Sequence, residues 1–330
     1  MQIFLYLLGL IVGFILLIKG ADFFVDSSSS IAKKLKVPTL IIGLTLVAFG
    51  TSLPELAVSF SASLAAKSQG TTADIALGNI LGSNVANLTL ILGASAVMMP
   101  IAVKRSMIKR EFPFLLMITI LVAILGLFFQ VDQQISQFEA LILFICFIIY
   151  MYMLYKTDKE EIIEEIHVID TKKAIILLII GLIGVTLGGM LVTNSAEYLS
   201  VTLLTNGFGI EESSAKAFIG LSIVALGTSL PELVTSVVAA KKGESDIALG
   251  NVIGSNVFNT LLVIGLSGMV TPLGISSGVA IDFMIVIAIT LFVFMMSAFR
   301  SHLRRLDGYI FLTLYISYIT YIILRTFGII

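Results

Sequence analysis

GTSLPEL, residues Gly50–Leu56, occurs a second time, letter for letter, at Gly227–Leu233. Each copy is followed by DIALGN (Asp74–Asn79 and Asp246–Asn251), then by GSNVAN at Gly82–Asn87 or GSNVFN at Gly254–Asn259. The surrounding text is apolar, so each copy carries one carboxylate, Glu55 or Glu232, into a stretch that reads as a membrane span. A carboxylate at that depth costs roughly 2–3 kcal/mol or more, which makes it a mark of function. A matched pair points to one shared site built by two halves.

Composition agrees with a polytopic membrane protein. The 330 residues are 58% hydrophobic and only 12% charged, with mean hydropathy +1.08. A soluble domain of this length needs far more charge to cover its surface. Uncharged runs at Pro113–Phe129, Ala140–Tyr155, Ala174–Ala196, Phe283–Phe299 and Gly308–Leu324 approach the roughly 17–25 residues that span a bilayer as helix. No polar stretch is long enough for a separate soluble domain; the longest, Lys156–Lys173, reads as a charged linker. Cys146 is the one cysteine, so there is no disulfide framework. The N-terminus is apolar to Ile18 without a following small-residue cleavage site, so the first segment is expected to be a retained helix rather than a signal peptide.

Hydropathy predicts spans near 2–25, 38–66, 72–99, 112–130, 138–156, 172–200, 213–240, 245–271, 280–299 and 307–326. The second, third, seventh and eighth are interrupted by Gly, Pro and polar residues. Lysine and arginine orient the stack. The odd-numbered loops hold sixteen of the twenty basic residues: Lys33, Lys34 and Lys36; Lys104, Arg105, Lys109 and Arg110; Lys156, Lys159, Lys172 and Lys173; Lys241 and Lys242; Arg300, Arg304 and Arg305. Those loops are expected in the cytoplasm, with both termini extracellular or periplasmic, in a multi-pass protein of the plasma or inner membrane. Five spans per half is an odd number, so the two motif copies run antiparallel. The expected fold is an all-α integral membrane protein of ten transmembrane helices in two inverted-topology five-helix repeats. The first repeat covers 1–157 (motif 43–93), a cytoplasmic linker 158–171, and the second repeat 172–330 (motif 220–265). Inverted repeats built around broken helices are the signature of secondary transporters with a site at the midplane.

On a helix, Ala48, Thr51, Ser52 and Glu55 share one face, as do Ala225, Thr228, Ser229 and Glu232. Pro54 and Pro231 have no amide hydrogen, so each kinks its helix and bares a carbonyl, that of Gly50 in the first copy. Such backbone is tolerated at membrane depth only where it lines a cavity. Ser83 and Asn87 are four apart, as are Ser255 and Asn259, so each pair points a hydroxyl and an amide the same way. Gly78, Gly82, Gly250 and Gly254 allow close helix approach. The set is all oxygen. That suits hard cations such as calcium, which takes 6–8 oxygens, whereas zinc, copper and nickel prefer imidazole or thiolate. The two histidines, His167 and His302, lie in charged loops. Two ionised glutamates carry −2, which one calcium or two sodium ions neutralise.

The duplicated GTSLPE and GSN-x-x-N motifs resemble those of the sodium/calcium exchangers of the cation/calcium antiporter superfamily. The resemblance covers nearly the whole chain, GADFFV at Gly20–Val25 included, and is to the minimal prokaryotic type, because no large regulatory loop separates the halves. It implies ten helices in two inverted repeats, a four-helix core with a calcium site flanked by sodium sites, and first and sixth helices that slide to alternate access. It implies Glu55 and Glu232 with the backbone oxygens of Thr51 and Thr228 as calcium ligands. It assigns sodium to the carbonyls of Ala48 and Ala225 with Ser52, Ser229, Ser83 and Ser255, and places Asn87 and Asn259 at the centre. Some members, potassium-dependent ones among them, have aspartate where this chain has Asn259, which argues against potassium co-transport. Proton/calcium exchangers carry Gly-Asn-Ala-x-Glu, absent here. The implied activity is exchange of sodium for calcium by alternating access, normally extruding calcium on the sodium gradient. The alternative is a proton-coupled or other divalent-cation antiporter. Expected partners are calcium and sodium ions and the bilayer, with no nucleic acid, no cofactor and function as a monomer.

Several residues have plainer readings. Asp74 and Asp246 open helices, where an acid caps free amides and meets the positive dipole end. The serines and asparagines are also common helix-packing glue. Asp22 and Asp26 line a passage or a solvated helix end, and Glu160, Glu161, Glu164 and Glu165 read as a solvated linker helix, with a regulatory cation site as the other option. A passive channel is a further alternative. Gly265–Gly268 matches the G-x-S-G of intramembrane serine proteases, but His302, the only downstream histidine, lies in an arginine-rich loop, so no base serves Ser267 and no enzyme is expected.

Overall fold

The computed structural model describes residues 2–129, 134–156, 170–208, 225–275, 277–326 and 329. In chain order they form α1 (Gln2–Lys34), α2 (Thr39–Thr51), α3 (Leu53–Gln69), α4 (residues 74–98), α5 (Met107–Phe128), α6 (Gln137–Tyr155), α7 (Thr171–Phe208), α8 (Ala225–Thr228), α9 (Leu230–Lys241), α10 (Ser245–Val270), α11 (Ser277–Ala298) and α12 (Arg305–Thr326). Among the described residues eight helices are long and apolar enough to cross a membrane, or nine if α2 and α3, bent by 48° at Ser52, form one span. The expected seventh span, 213–240, is described only from Ala225, and the linker and its glutamates lie outside the described residues.

Two helices run longer than the hydropathy predicts. α1 continues past Val25 to Lys34, through the run of serines at Ser27–Ser30. Those hydroxyls stay inside the helix bundle: Ser27 Oγ donates back to the Phe23 carbonyl, and Ser29 Oγ donates to Glu244 at 2.8 Å. α7 likewise continues to Phe208.

The motif helices occupy the middle. The most apolar window of α10 is 100% buried and that of α4 78%, against 17% for α1 and 28% for α7 and α12. The outer helices turn apolar side chains outward at helical spacing, Phe4, Leu7, Ile11, Ile15 and Ile18 on α1 and Ile176, Ile179, Ile183, Leu187 and Met190 on α7. This is the surface a bilayer solvates. α1 and α7 lie backbone to backbone. A Cβ on Gly20 would sit 2.7 Å from the amide nitrogen of Val185, and one on Gly181 2.6 Å from that of Phe24. Only glycine permits that approach.

Four short strands add to the expected all-helical architecture. β1 (Ile101–Ala102) pairs antiparallel with β4 (His302–Leu303), and β2 (Gln134–Ile135) with β3 (Leu273–Gly274). Each ladder joins a connection of one half to a connection of the other, where backbone groups leaving a helix need partners.

Polar clamps hold the periphery. Arg325 makes a two-pronged bridge to Asp282, both contacts 3.1 Å, tying the end of α12 to the start of α11. Tyr150 of α6 donates to the buried Glu111 of α5 at 2.9 Å. Asp246 lies in the first turn of α10, at the positive helix end as expected, but does not cap it. Its carboxylate accepts from Thr39 at 2.8 Å and pairs with Lys104 at 2.7 Å, both from other segments, while Glu244 occupies the cap position. The Asp74 side chain lies outside the description. Asp22 and Asp26 pair with Lys242 at 3.3 and 2.7 Å, and Asp26 stays exposed.

Candidate cation-binding site

Both motif helices break at the serine two residues before the proline. Ser52 (φ −82°, ψ 6°) and Ser229 (φ −87°, ψ 2°) leave helical geometry in the same way, because Pro54 and Pro231 cannot donate to the preceding turn. α3 and α9 then restart with Glu55 and Glu232 in their first turns, where the positive helix end favours a carboxylate. The opposing helices also deviate: α4 carries a π-helical segment at Asn87–Ile91 and α10 one at Phe258–Val263. Such turns concentrate at functional sites.

The two halves interlock through these breaks. Ser52 Oγ donates to Glu232 Oε1 at 3.1 Å, and Ser229 Oγ donates to Glu55 Oε1 at 3.4 Å. Each break serine thus serves the glutamate of the other copy, which brings both acids to one place. Ser83 Oγ donates to Glu55 Oε1 at 3.4 Å and lies 3.2 Å from Ser229 Oγ. Thr228 also lies against Glu55, and Thr51 and Ser255 against Glu232. Both glutamates are 1% exposed, and Ala48, Thr51, Ser52, Ser83, Asn87, Thr228, Ser229, Ser255 and Asn259 are all buried. Ala225 opens α8, and its side chain lies outside the description.

Four acceptors in this cluster have no hydrogen-bond partner: Glu55 Oε2, Glu232 Oε2, Asn87 Oδ1 and Asn259 Oδ1. Leaving one buried polar atom unsatisfied costs about 1–3 kcal/mol, more for a charged one. Four such atoms, all acceptors and none a donor, fit a cation. The donor set is hard oxygen with two carboxylates, suited to calcium or sodium. No group of three or more His, Cys, Asp or Glu side chains capable of holding a metal occurs among the described residues, so any ion here leans on neutral oxygens as well.

Other residues of the repeated motifs support this cluster. Asn251, fully buried, accepts from Thr51 Oγ1 at 3.0 Å and donates to Ser236 Oγ at 2.9 Å and to the Glu232 carbonyl at 3.4 Å. Asn79 donates to Ser59 Oγ at 3.3 Å in the corresponding arrangement. The signal was present: Asn79 and Asn251 close the repeated DIALGN, and Ser59 and Ser236 each follow a glutamate by four residues, on its face. Asn84, inside the repeated GSN, likewise touches the cluster, accepting from Asn259 Nδ2 at 3.2 Å.

The close approach expected of Gly250 and Gly254 is present. A Cβ there would meet the Gly43 Cα at 3.0 Å and the Leu44 carbonyl at 2.7 Å. For Gly78 and Gly82 the equivalent partner segment begins at Gly220, outside the described residues. Ser267 is buried with no hydrogen-bond partner, whereas His302 is exposed on β4 and contacts Ser301 at 3.1 Å. The protease pattern therefore assembles no nucleophile and base.

Comparison with known proteins gives the following. The profile of the sodium/calcium exchanger protein family matches twice, over residues 5–156 and 173–324. The chain is 31% identical over 350 residues to the sodium/calcium exchanger MaX1 of Methanosarcina acetivorans, covering 94% of this chain and 96% of that one. It is 35% identical over 275 residues to the inner membrane protein YrbG of Escherichia coli, covering 80% and 79%. Among solved structures, the sodium-calcium exchanger NCX_Mj soaked with 100 mM Na+ and 10 mM Sr2+ superposes with TM-score 0.80 at 32% identity, covering 96% of this chain and 98% of that one.

Proposed function

Since the chain belongs to the sodium/calcium exchanger protein family, we propose that it is a secondary antiporter that exchanges sodium for calcium by alternating access and extrudes calcium on the sodium gradient. The carrying observation is the set of four unpartnered buried acceptors on Glu55, Glu232, Asn87 and Asn259. Two carboxylates in one cage balance either one calcium or two sodium ions, so the site can cross loaded in each direction and need not return empty. In this reading Glu55 and Glu232, with backbone oxygen of Thr51 and Thr228, hold calcium. Ser52, Ser229, Ser83, Ser255 and the carbonyls of Ala48 and Ala225 take sodium, and Asn87 and Asn259 complete the centre.

The same reading has ten spans in two inverted five-helix repeats, 1–157 and 172–330, joined by the linker 158–171. It is supported by the double match of one family profile, by the like breaks at Ser52 and Ser229, and by strand ladders that each pair one half with the other. α1 and α7 slide as a pair, which the glycine seam between them suits. The basic loops face the cytoplasm of a cell or inner membrane, both termini lie outside, and one chain suffices. The test is calcium-45 flux in proteoliposomes with an imposed sodium gradient. Sodium-driven flux is expected; a folded preparation with none, or one driven equally by a pH step in sodium-free buffer, would reject sodium coupling.

A further inference from the structure

The two asparagines at the centre are held unequally. Asn259 Nδ2 donates to Asn84 Oδ1 at 3.2 Å, and Asn84 Nδ2 donates in turn to Thr260 Oγ1 at 3.1 Å. α10 thus grips Asn84 of α4 with two consecutive residues, and all three side chains are at most 2% exposed. With its nitrogen engaged, Asn259 leaves only its carbonyl oxygen, unpartnered, for the site.

The other copy lacks this arrangement. Leu88 stands where the second copy has Thr260, so there is no hydroxyl to anchor an amide. Asn256, the counterpart of Asn84, turns its nitrogen to the carbonyl of Val252 in its own helix at 2.7 Å, and its Oδ1 has no partner. Among the described residues, no side-chain hydrogen bond ties Asn87 to Asn256.

We propose, resting on the antiport reading, that Asn84 is a positioning residue: anchored by Thr260, it turns the Asn259 amide so that its carbonyl oxygen faces the transported cation. An asparagine can present either an acceptor oxygen or a donor NH2, and only the oxygen coordinates a cation. An amide already turned loses nothing to reorientation when the ion arrives, which is preorganisation. The Asn259 side of the cage is then the fixed wall, and the Asn87 side the wall that adjusts when one load replaces the other.

The experiment is a double-mutant cycle on the full chain in proteoliposomes and in detergent, reading the calcium-45 half-saturation, the maximal sodium-driven rate and the thermal unfolding midpoint. Asn84→Ala is expected to raise the calcium half-saturation about 5- to 10-fold, the worth of one hydrogen bond, with little change in maximal rate. In the Asn259→Ala background, adding Asn84→Ala should change nothing further, because the group it positions is gone. Thr260→Val should reproduce part of the loss and Thr260→Ser restore it; this pair carries the test if Asn84→Ala does not fold. An Asn84→Ala effect equal in both backgrounds, or an unchanged half-saturation, overturns the assignment while leaving antiport standing. Absence of sodium-driven flux in the unsubstituted protein would instead overturn the antiport reading itself.

Discussion

Glu232→Gln is a nearly isosteric change that removes one of the two charges. The Oε1 that accepts from Ser52 at 3.1 Å can be kept by the amide oxygen. The other atom, now unpartnered Oε2, becomes an NH2 directed at the cation. At an effective dielectric of about 20, a unit charge pair 4 Å apart is worth roughly 4 kcal/mol, so a divalent ion loses about 8 kcal/mol of gross attraction and a monovalent ion about 4. If desolvation offsets half of each, the losses are about 4 and 2 kcal/mol, or roughly 10³-fold for calcium and 30-fold for sodium. Equilibrium calcium-45 binding to purified protein, repeated with sodium as competitor, measures both. The fold should survive. In cation-free buffer the variant should unfold no lower than the parent, because a buried like-charge neighbour has been removed, and the rise in unfolding temperature on adding calcium should vanish. A calcium affinity within tenfold of the parent, or equal losses for both ions, would refute the picture of two carboxylates sharing one divalent ion.

Asn251→Leu should destabilise the protein by about 2 kcal/mol, since it strands the Thr51 and Ser236 hydroxyls that the amide joins; an unchanged thermal unfolding midpoint would show that this amide ties nothing together. Gly181→Ala should cost about 1–3 kcal/mol by driving a Cβ to 2.6 Å from the Phe24 amide nitrogen, while Gly207→Ala, whose Cβ would meet only the Leu203 side chain at 3.3 Å, should be nearly neutral in the same unfolding assay.

Much of the candidate site was readable as text because its parts are local. A carboxylate, a proline and hydroxyls at helical spacing declare a broken, oxygen-lined face within seven residues, and repetition of the phrase declares that there are two. The same locality explains what was missed. Asn251 serves the site from one layer out, through Thr51 and the Glu232 carbonyl, and nothing in the spacing of DIALGN tells a hydrogen-bonding amide from packing glue. The extension of α1 through Ser27–Ser30 is hidden from hydropathy because hydropathy counts serine as polar, whereas here the hydroxyl of Ser27 is satisfied by its own helix backbone and that of Ser29 by Glu244. Asp246 was read as a cap from its position alone, yet Thr39 and Lys104, far off in sequence, claim its carboxylate.

From its letters alone the chain declares a bilayer as its solvent, a duplicated architecture and two acids too costly to bury without purpose, because hydropathy and repetition are sums over neighbouring residues. Pairing across the halves belonged to the tertiary structure. Ser52 answers Glu232 rather than Glu55, and Asn259 is held through Asn84 while Asn87 is not. Those contacts join residues some 175 to 180 positions apart, and which hydroxyl meets which carboxylate depends on how whole helices pack rather than on any spacing along the chain.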